Sequence, residues 1–119
     1  MEVKKAAVIG GGTMGGSIAH LLSSVGIEVF IKDIDRKFID FAINHSRDLF
    51  MKQVKKGKLE EKKVDEIQAL LKGGVEYDRD YMSQVDLVIE AVPEIMKLKQ
   101  DVFAELEGIC PERTILATN

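Results

Sequence analysis

Three glycines at a fixed spacing stand near the start of the chain: Gly10, Gly12 and Gly15, a G-x-G-x-x-G pattern. They follow a short apolar run, Ala6-Ala7-Val8-Ile9, and lead into Gly16-Ser17-Ile18-Ala19. Each position carries a physical demand. The first glycine permits a sharp turn out of a strand. The second clears the backbone for a diphosphate, and the third lets the next helix pack closely on the strand. A helix begun there aims its free N–H groups and positive dipole end at phosphates. The expected chemistry is anion binding by the loop Gly10, Gly11, Gly12, Thr13, Met14 and Gly15. The pattern alone is weak, because glycine is common in turns. A carboxylate strengthens it: Asp33 lies 18 residues after Gly15 (33 minus 15), close to the ~20 expected of an acid that accepts from both hydroxyls of an adenosine ribose. Such an acid repels a 2′-phosphate and favours NAD over NADP. The bland alternatives are a loop aspartate, or a turn in which Asp35 caps the next helix. Lys32, Arg36 and Lys37 stand close enough to soften the discrimination.

The elements that must position these groups are legible in the periodicity. Lys5 to Ile9 is apolar on both faces, as a central parallel strand should be. From Met14 to about Val25 the period becomes helical, with Ile18, Leu21, Leu22 and Val25 as one stripe, and Gly26 ends it. Ile27 to Ile31 is a second strand that delivers Asp33 at its carboxyl end. A long helix from about Arg36 to Lys56 follows, with Phe38, Ala42 and Leu49 on one side and Ile39, Ile43, Phe50 and Val54 widening it. A second helix, about Leu59 to Lys72, makes a hairpin with it. Gly73-Gly74 reads as a hinge, Val75 to Tyr77 as a short third strand, and Asp80 to Val85 as one helical turn. Leu87 to Val92 is a fourth strand with Glu90 as its odd polar residue. Pro93-Glu94 opens a helix whose face is Ile95, Leu98, Val102, Leu106 and Ile109. Thr114 to Thr118 is a fifth strand. With right-handed crossovers this is an α/β fold: a Rossmann-type open parallel sheet in order 3-2-1-4-5, helices on both faces, and a helical hairpin between strands 2 and 3. A dinucleotide would cross the switch point between strands 1 and 4.

Composition sets the outer limits. The chain has 119 residues, enough for one domain, and 45% of them are hydrophobic. No stretch is long and apolar enough to span a membrane, and strand 1 begins too early to leave room for a signal peptide. The net charge is −3, with basic and acidic residues interspersed, which argues against nucleic acid as partner. Cys110 is alone, so neither a disulfide framework nor a metal site is expected, and a cytoplasmic setting is the default. The hairpin lysines (Lys52, Lys55, Lys56, Lys58, Lys62, Lys63) alternate with Glu60, Glu61 and Asp65. They read as a solvated face, or else as a basic patch for a phosphorylated substrate tail.

Residues 7 to 19, Ala-Val-Ile-Gly-Gly-Gly-Thr-Met-Gly-Gly-Ser-Ile-Ala, resemble the opening of the L-3-hydroxyacyl-CoA dehydrogenases. Residues 86 to 106, from Asp86-Leu-Val-Ile-Glu-Ala-Val-Pro-Glu to Leu106, are similar to that family's second and more specific signature. Ile115-Leu-Ala-Thr-Asn119 resembles the start of its third. The resemblance implies NAD-dependent oxidation of a 3-hydroxyacyl-CoA to the 3-ketoacyl-CoA, in fatty-acid β-oxidation or butyryl-CoA metabolism. It implies that Ala91 and Val92 pass close to the cofactor. Glu94 and Lys99 would reach the nicotinamide-side ribose, and Asn119 would lie near the nicotinamide. Lys56 falls near a family lysine that contacts CoA phosphates, whereas Leu49 stands near the place of an unmatched serine contact. The family's catalytic His-Glu pair, and the helical domain that completes the cleft and the homodimer, would lie beyond Asn119. The expectation is therefore an NAD-binding domain, residues 1–119, inactive by itself, with no catalytic residue of its own. His20 and His45 read as packed or surface helical residues. Other β-hydroxyacid dehydrogenases share the first motif, and two further classes share the glycine loop: a non-catalytic NAD sensor, and a sheet of the methyltransferase type that binds S-adenosylmethionine.

Overall fold

The computed structural model describes residues 2–91 and 96–118, and of residues 96–99 the backbone alone. Five parallel strands form one sheet in the order β3-β2-β1-β4-β5. They are β1 (Lys5–Ile9), β2 (Glu28–Lys32), β3 (Leu71–Gly74), β4 (Leu87–Glu90) and β5 (Ile115–Thr118). The helices are α1 (Gly12–Ser24), α2 (Arg36–Lys55), α3 (Glu61–Gln68), α4 (Arg79–Met82) and α5 (Met96–Ile109). The expected strand order and the hairpin of α2 and α3 between β2 and β3 are both present.

Strand alternation sorts the core into two layers. On one face Ala7, Ile9, Phe30 and Val88 pack with Tyr81, Met82, Val85 and Leu106, under α4 and α5. On the other, Val8, Val29, Ile31 and Leu71 pack with Ala19, Ile39 and Ala42, under α1 and α2. β1 is in the centre and is buried from Ala6 onward, which is why it reads as a continuous apolar run. Val102 and Ile109 of α5 join Leu106 against the sheet, as their spacing implied. The expectations for Ile95, Leu98 and the Pro93-Glu94 opening lie outside the described residues.

Three expectations need correction. The third strand is Leu71–Gly74, not Val75 to Tyr77, and the helix before it stops at Gln68. Gly73 is not a hinge. A Cβ there would lie 2.4 Å from Ile39 Cγ2 and 2.8 Å from the Ile31 carbonyl oxygen, so glycine is what lets β3 pass beneath α2. The buried face of α1 is only partly the expected stripe: Ile18 and Leu22 pack against the core, but Gly15, Gly16, Ala19 and Ser23 are the buried residues, and Leu21 and Val25 are 67% and 74% exposed. α1 is wedged between the sheet and α2, and glycine stands where it comes closest to each. On α2, Ile39, Ala42 and Phe50 of the expected stripe are buried together with Ser46, and Ile43 packs against the core, whereas Phe38 is exposed.

α1 also starts two residues earlier than its apolar period, at Gly12. Its end is as expected. Gly26 has φ +88° and its N–H donates to Ser23 O at 3.0 Å, while Ile27 N–H donates to Leu22 O at 3.1 Å. This pairing closes the helix and turns the chain directly into β2.

Candidate dinucleotide site

The site is built where β1 ends. Gly10 (φ +109°) and Gly12 (φ +74°) take backbone conformations that side-chain-bearing residues rarely adopt. Together they turn the chain from β1 into α1 within two residues. Gly10 N–H donates to Lys32 O at 2.7 Å, and Ala91 N–H donates to Ile9 O at 2.8 Å. The loop is thereby stitched to the ends of β2 and β4, the two strands that flank β1.

The glycines divide by what surrounds them. A Cβ on Gly15 would lie 2.1 Å from the Gly10 carbonyl oxygen, so its absence sets how closely α1 approaches β1. A Cβ on Gly11 would lie 2.5 Å from Phe38 O, and one on Gly16 would lie 2.9 Å from Ala42 O. These two fix how closely the loop and α1 approach α2. A Cβ on Gly12 would meet nothing within 4 Å outside its chain neighbours and its own helix backbone. That position is open, as a close backbone approach by a ligand requires. The N-cap of α1 is Gly11, which brings no side chain to the helix end, and no acid stands in the first turn. Thr13 and Met14 are exposed there. The helix end thus keeps its positive character for an outside anion. A cradle of bare backbone open at Gly12 fits the diphosphate of a dinucleotide.

Asp33 follows β2 and points toward this loop. Its Oδ2 accepts from Gly11 N–H at 2.7 Å, and its Oδ1 accepts from Asp35 N–H at 3.4 Å. Asp35 caps α2, accepting from Lys37 N–H at 3.0 Å. The acid proposed for a ribose and the acid proposed for a cap are therefore two adjacent, separate devices. The bond to Gly11 was not anticipated; it needs the carboxyl end of β2 beside that of β1, which follows from the register Ile9↔Lys32.

The structure brings Gly10 to Gly15, Asp33 and Ala91 together. Val92, Glu94 and Asn119 lie outside the described residues, as does the side chain of Lys99. Lys56 is not brought to the loop. It is the C-cap of α2, at the far end of a 20-residue helix that spans ~30 Å. Around it Lys52, Lys55 and Lys58 are exposed, while Lys62 and Lys63 pair with Glu60 (3.5 Å) and Glu66 (3.4 Å). The histidines sit between α1 and α2. The His20 ring packs on Phe50 with centroids 4.2 Å apart, and His45 Nε2 lies 3.2 Å from Ser17 Oγ. Burial, and then the neighbouring His45, lower the His20 pKa from 6.5.

Glu90, flagged by sequence as out of place, is fully buried at the end of β4 beside Ile9. The packing roles of Gly11 and Gly16 were missed. Their signal was density, since five of the seven residues from 10 to 16 are glycine. Among the described residues no helix is long and apolar enough to cross a membrane.

Comparison with known proteins agrees with this geometry. Residues 5–119 match the model of the 3-hydroxyacyl-CoA dehydrogenase NAD-binding domain. The chain is 41% identical over 118 residues to a glyoxysomal fatty acid β-oxidation multifunctional protein of Brassica napus, covering 99% of this chain and 16% of that protein. It is equally 41% identical to the fatty acid oxidation complex subunit alpha of Pseudomonas entomophila, with the same two coverages. In structure it superposes on a 3-hydroxybutyryl-CoA dehydrogenase of Escherichia coli K12 with a TM-score of 0.91 and 34% identity, over 100% of this chain and 25% of that one. A (S)-3-hydroxybutyryl-CoA dehydrogenase of Ralstonia eutropha gives 0.90 and 30%, over 99% and 41%. The chain thus spans about one sixth of the length of the curated relatives it matches. From its glycine loop to its last strand, the chain is an NAD-binding domain and belongs to the 3-hydroxyacyl-CoA dehydrogenase family.

Proposed function

We propose that this domain holds NAD for the oxidation of a 3-hydroxyacyl-CoA to the 3-ketoacyl-CoA by a longer protein, in fatty-acid β-oxidation or butyryl-CoA metabolism. The observation that carries the reading is the coupling of Asp33 to the open glycine cradle through Gly11, at the switch point of the sheet. In this reading the backbone from Gly10 to Gly15 binds the diphosphate at the start of α1. Asp33 accepts from the adenosine ribose. Ala91 and Val92 flank the cofactor, Glu94 and Lys99 reach the second ribose, and Asn119 meets the nicotinamide. Bound NAD supplies the hydride acceptor.

Making a ketone also requires a base for the hydroxyl proton. The two histidines of this chain are engaged between α1 and α2. We therefore assign the base to a further helical domain of the longer protein, which would also form its homodimer, and expect residues 1–119 alone to bind cofactor without turning over. The exposed lysines at the C-terminal end of α2, Lys56 among them, supply charge for the phosphates of CoA. The single Cys110 suits a reducing, cytoplasmic setting.

Titration calorimetry tests the reading. NAD is expected to bind with measurable heat, and S-adenosylmethionine is not. Heat with S-adenosylmethionine and none with NAD would overturn it.

A further inference from the structure

Three cations near Asp33 are candidates to neutralise a 2′-phosphate, and the structure places all three. Lys37 Nζ lies 3.8 Å from Asp35 Oδ2 and 5.2 Å from the Phe38 ring. Lys32 Nζ sits over the Tyr77 ring at 4.9 Å. Arg36 is the group best shaped for a phosphate, because its guanidinium offers a planar fork of donors. It is the first residue of α2, three positions past Asp33, where an arginine can accommodate the phosphate of NADP.

Arg36 is held at two points. Its Nε donates to Asp40 Oδ1 at 3.1 Å, one helical turn on, and its Nη1 donates to the Gly73 carbonyl at 3.0 Å. Gly73 belongs to β3, whereas Asp33 reaches to Gly11 beyond β1. β2 lies between those strands, and with strands ~4.8 Å apart the two anchors stand ~10 Å apart on opposite sides of it. The acid faces the cradle, and the guanidinium faces the sheet edge. The bare backbone at Gly73 allows β3 to lie close enough to α2 for the second anchor.

We propose that Asp40 is a specificity-determining residue: through its ion pair with Arg36 it keeps the guanidinium on the β3 side of β2 and withholds it from the 2′ position of a bound adenosine. The proposal rests on Asp33 being the ribose ligand. NAD selectivity then has two layers, a carboxylate that repels the phosphate and a cation that is tied back from rescuing it. Both side chains of the pair are more than half exposed (57% and 56%), so the tie is weak enough to undo with one substitution.

The test is a mutant cycle read by calorimetric binding of NAD and NADP at low ionic strength. It is run in an Asp33→Asn background, which removes the repulsion and leaves an amide oxygen for Gly11. Asp40→Ala is expected to improve NADP affinity about twofold relative to NAD, the scale of freeing an exposed i,i+4 pair. Arg36→Ala alone is expected to leave the ratio unchanged, and Arg36→Ala combined with Asp40→Ala to abolish the gain. A ratio insensitive to Asp40→Ala, or an NADP loss on Arg36→Ala alone, overturns the latch while the NAD site stands. A parent chain that takes up neither dinucleotide overturns the site and the latch with it.

Discussion

A methyl group added at Gly15 and one added at Gly12 meet opposite surroundings, and this separates folding from binding one residue at a time. At Gly15 it falls 2.1 Å from a backbone oxygen that cannot move without shifting the loop. Gly15→Ala should therefore cost upward of about 2 kcal/mol of stability, as overpacking against backbone does, and lower the urea midpoint. At Gly12 the methyl meets nothing, and the cost is the left-handed backbone alone, about 1–2 kcal/mol. Gly12→Ala should keep the fold and lose about tenfold or more in NAD affinity, or ~1.4 kcal/mol, because the methyl occupies the diphosphate's approach. Normal NAD binding by the Gly12 variant would remove that glycine from the cradle. Asp33 supports a related comparison. Asp33→Ala should weaken NAD much more than NADP, and Asp33→Asn should weaken NAD less than Asp33→Ala does, since the amide still accepts from Gly11. Equal losses for both dinucleotides would sink the assigned role. The three spaced glycines were legible in sequence because their demands are local, set by one turn and one strand-helix contact. Gly11 and Gly16 were not, because what they approach is α2, whose distance from α1 is a tertiary quantity.

The α1–α2 pair is the element-scale counterpart. Its small inward residues let the helices approach, and the two histidines fill the margin of the contact. Burial lowers the His20 pKa from 6.5, the nearby His45 lowers it further, and a backbone hydrogen bond at Ser46 opposes them. The folded value thus lies below the unfolded one. The contribution is fully present above about pH 6.5 and is lost as the pH falls through the folded value. Urea midpoints measured between pH 7.5 and 5 should decline on the acid side, and His20→Leu, which keeps an apolar contact with Phe50, should flatten that decline. An unchanged slope would mean that His20 titrates as it does in the unfolded chain. At this scale sequence was a partial guide. Among the described residues, periodicity located the helices and four of the strands within a few residues. It misjudged half of the inward face of α1, because hydrophobicity ranks Leu21 and Val25 above Gly16 and Ala19, while the close approach to α2 selects for size. It misplaced β3 because a glycine pair carries the signature of a break, and only the passage of α2 overhead reveals it as a packing requirement.

Over the whole molecule the two ends of the sheet do different work. The carboxyl ends of β1, β2 and β4 carry the glycine loop, Asp33 and Ala91, whereas the amino ends are tied by Asp86. Asp86 Oδ2 accepts from Lys4 N–H at 2.9 Å and Lys5 N–H at 3.1 Å, and Oδ1 accepts from Arg113. Its own N–H donates to Lys5 O, and its carbonyl accepts from Ile115 N–H. One residue therefore joins the starts of β1, β4 and β5. The strand order followed from the right-handed crossover rule, but this clasp did not, because it depends on register between strands some 80 residues apart in sequence. The backbone donors of Lys4 and Lys5 lower the Asp86 pKa from 3.8; burial opposes them less strongly, and Arg113 adds a further lowering. Its contribution is thus present above about pH 4 and is lost as the pH falls through the folded value. Asp86→Ala should cost about 2 kcal/mol at neutral pH, the scale of charge-assisted hydrogen bonds, and reduce the acid sensitivity of the urea midpoint below pH 4. Because the clasp is a full strand length away from the cradle, the NAD dissociation constant of the folded variant should match the parent's. A large loss of NAD affinity in an Asp86 variant that remains folded would show that the two ends are coupled through the strands, and that the sheet does more than hold its mouth open.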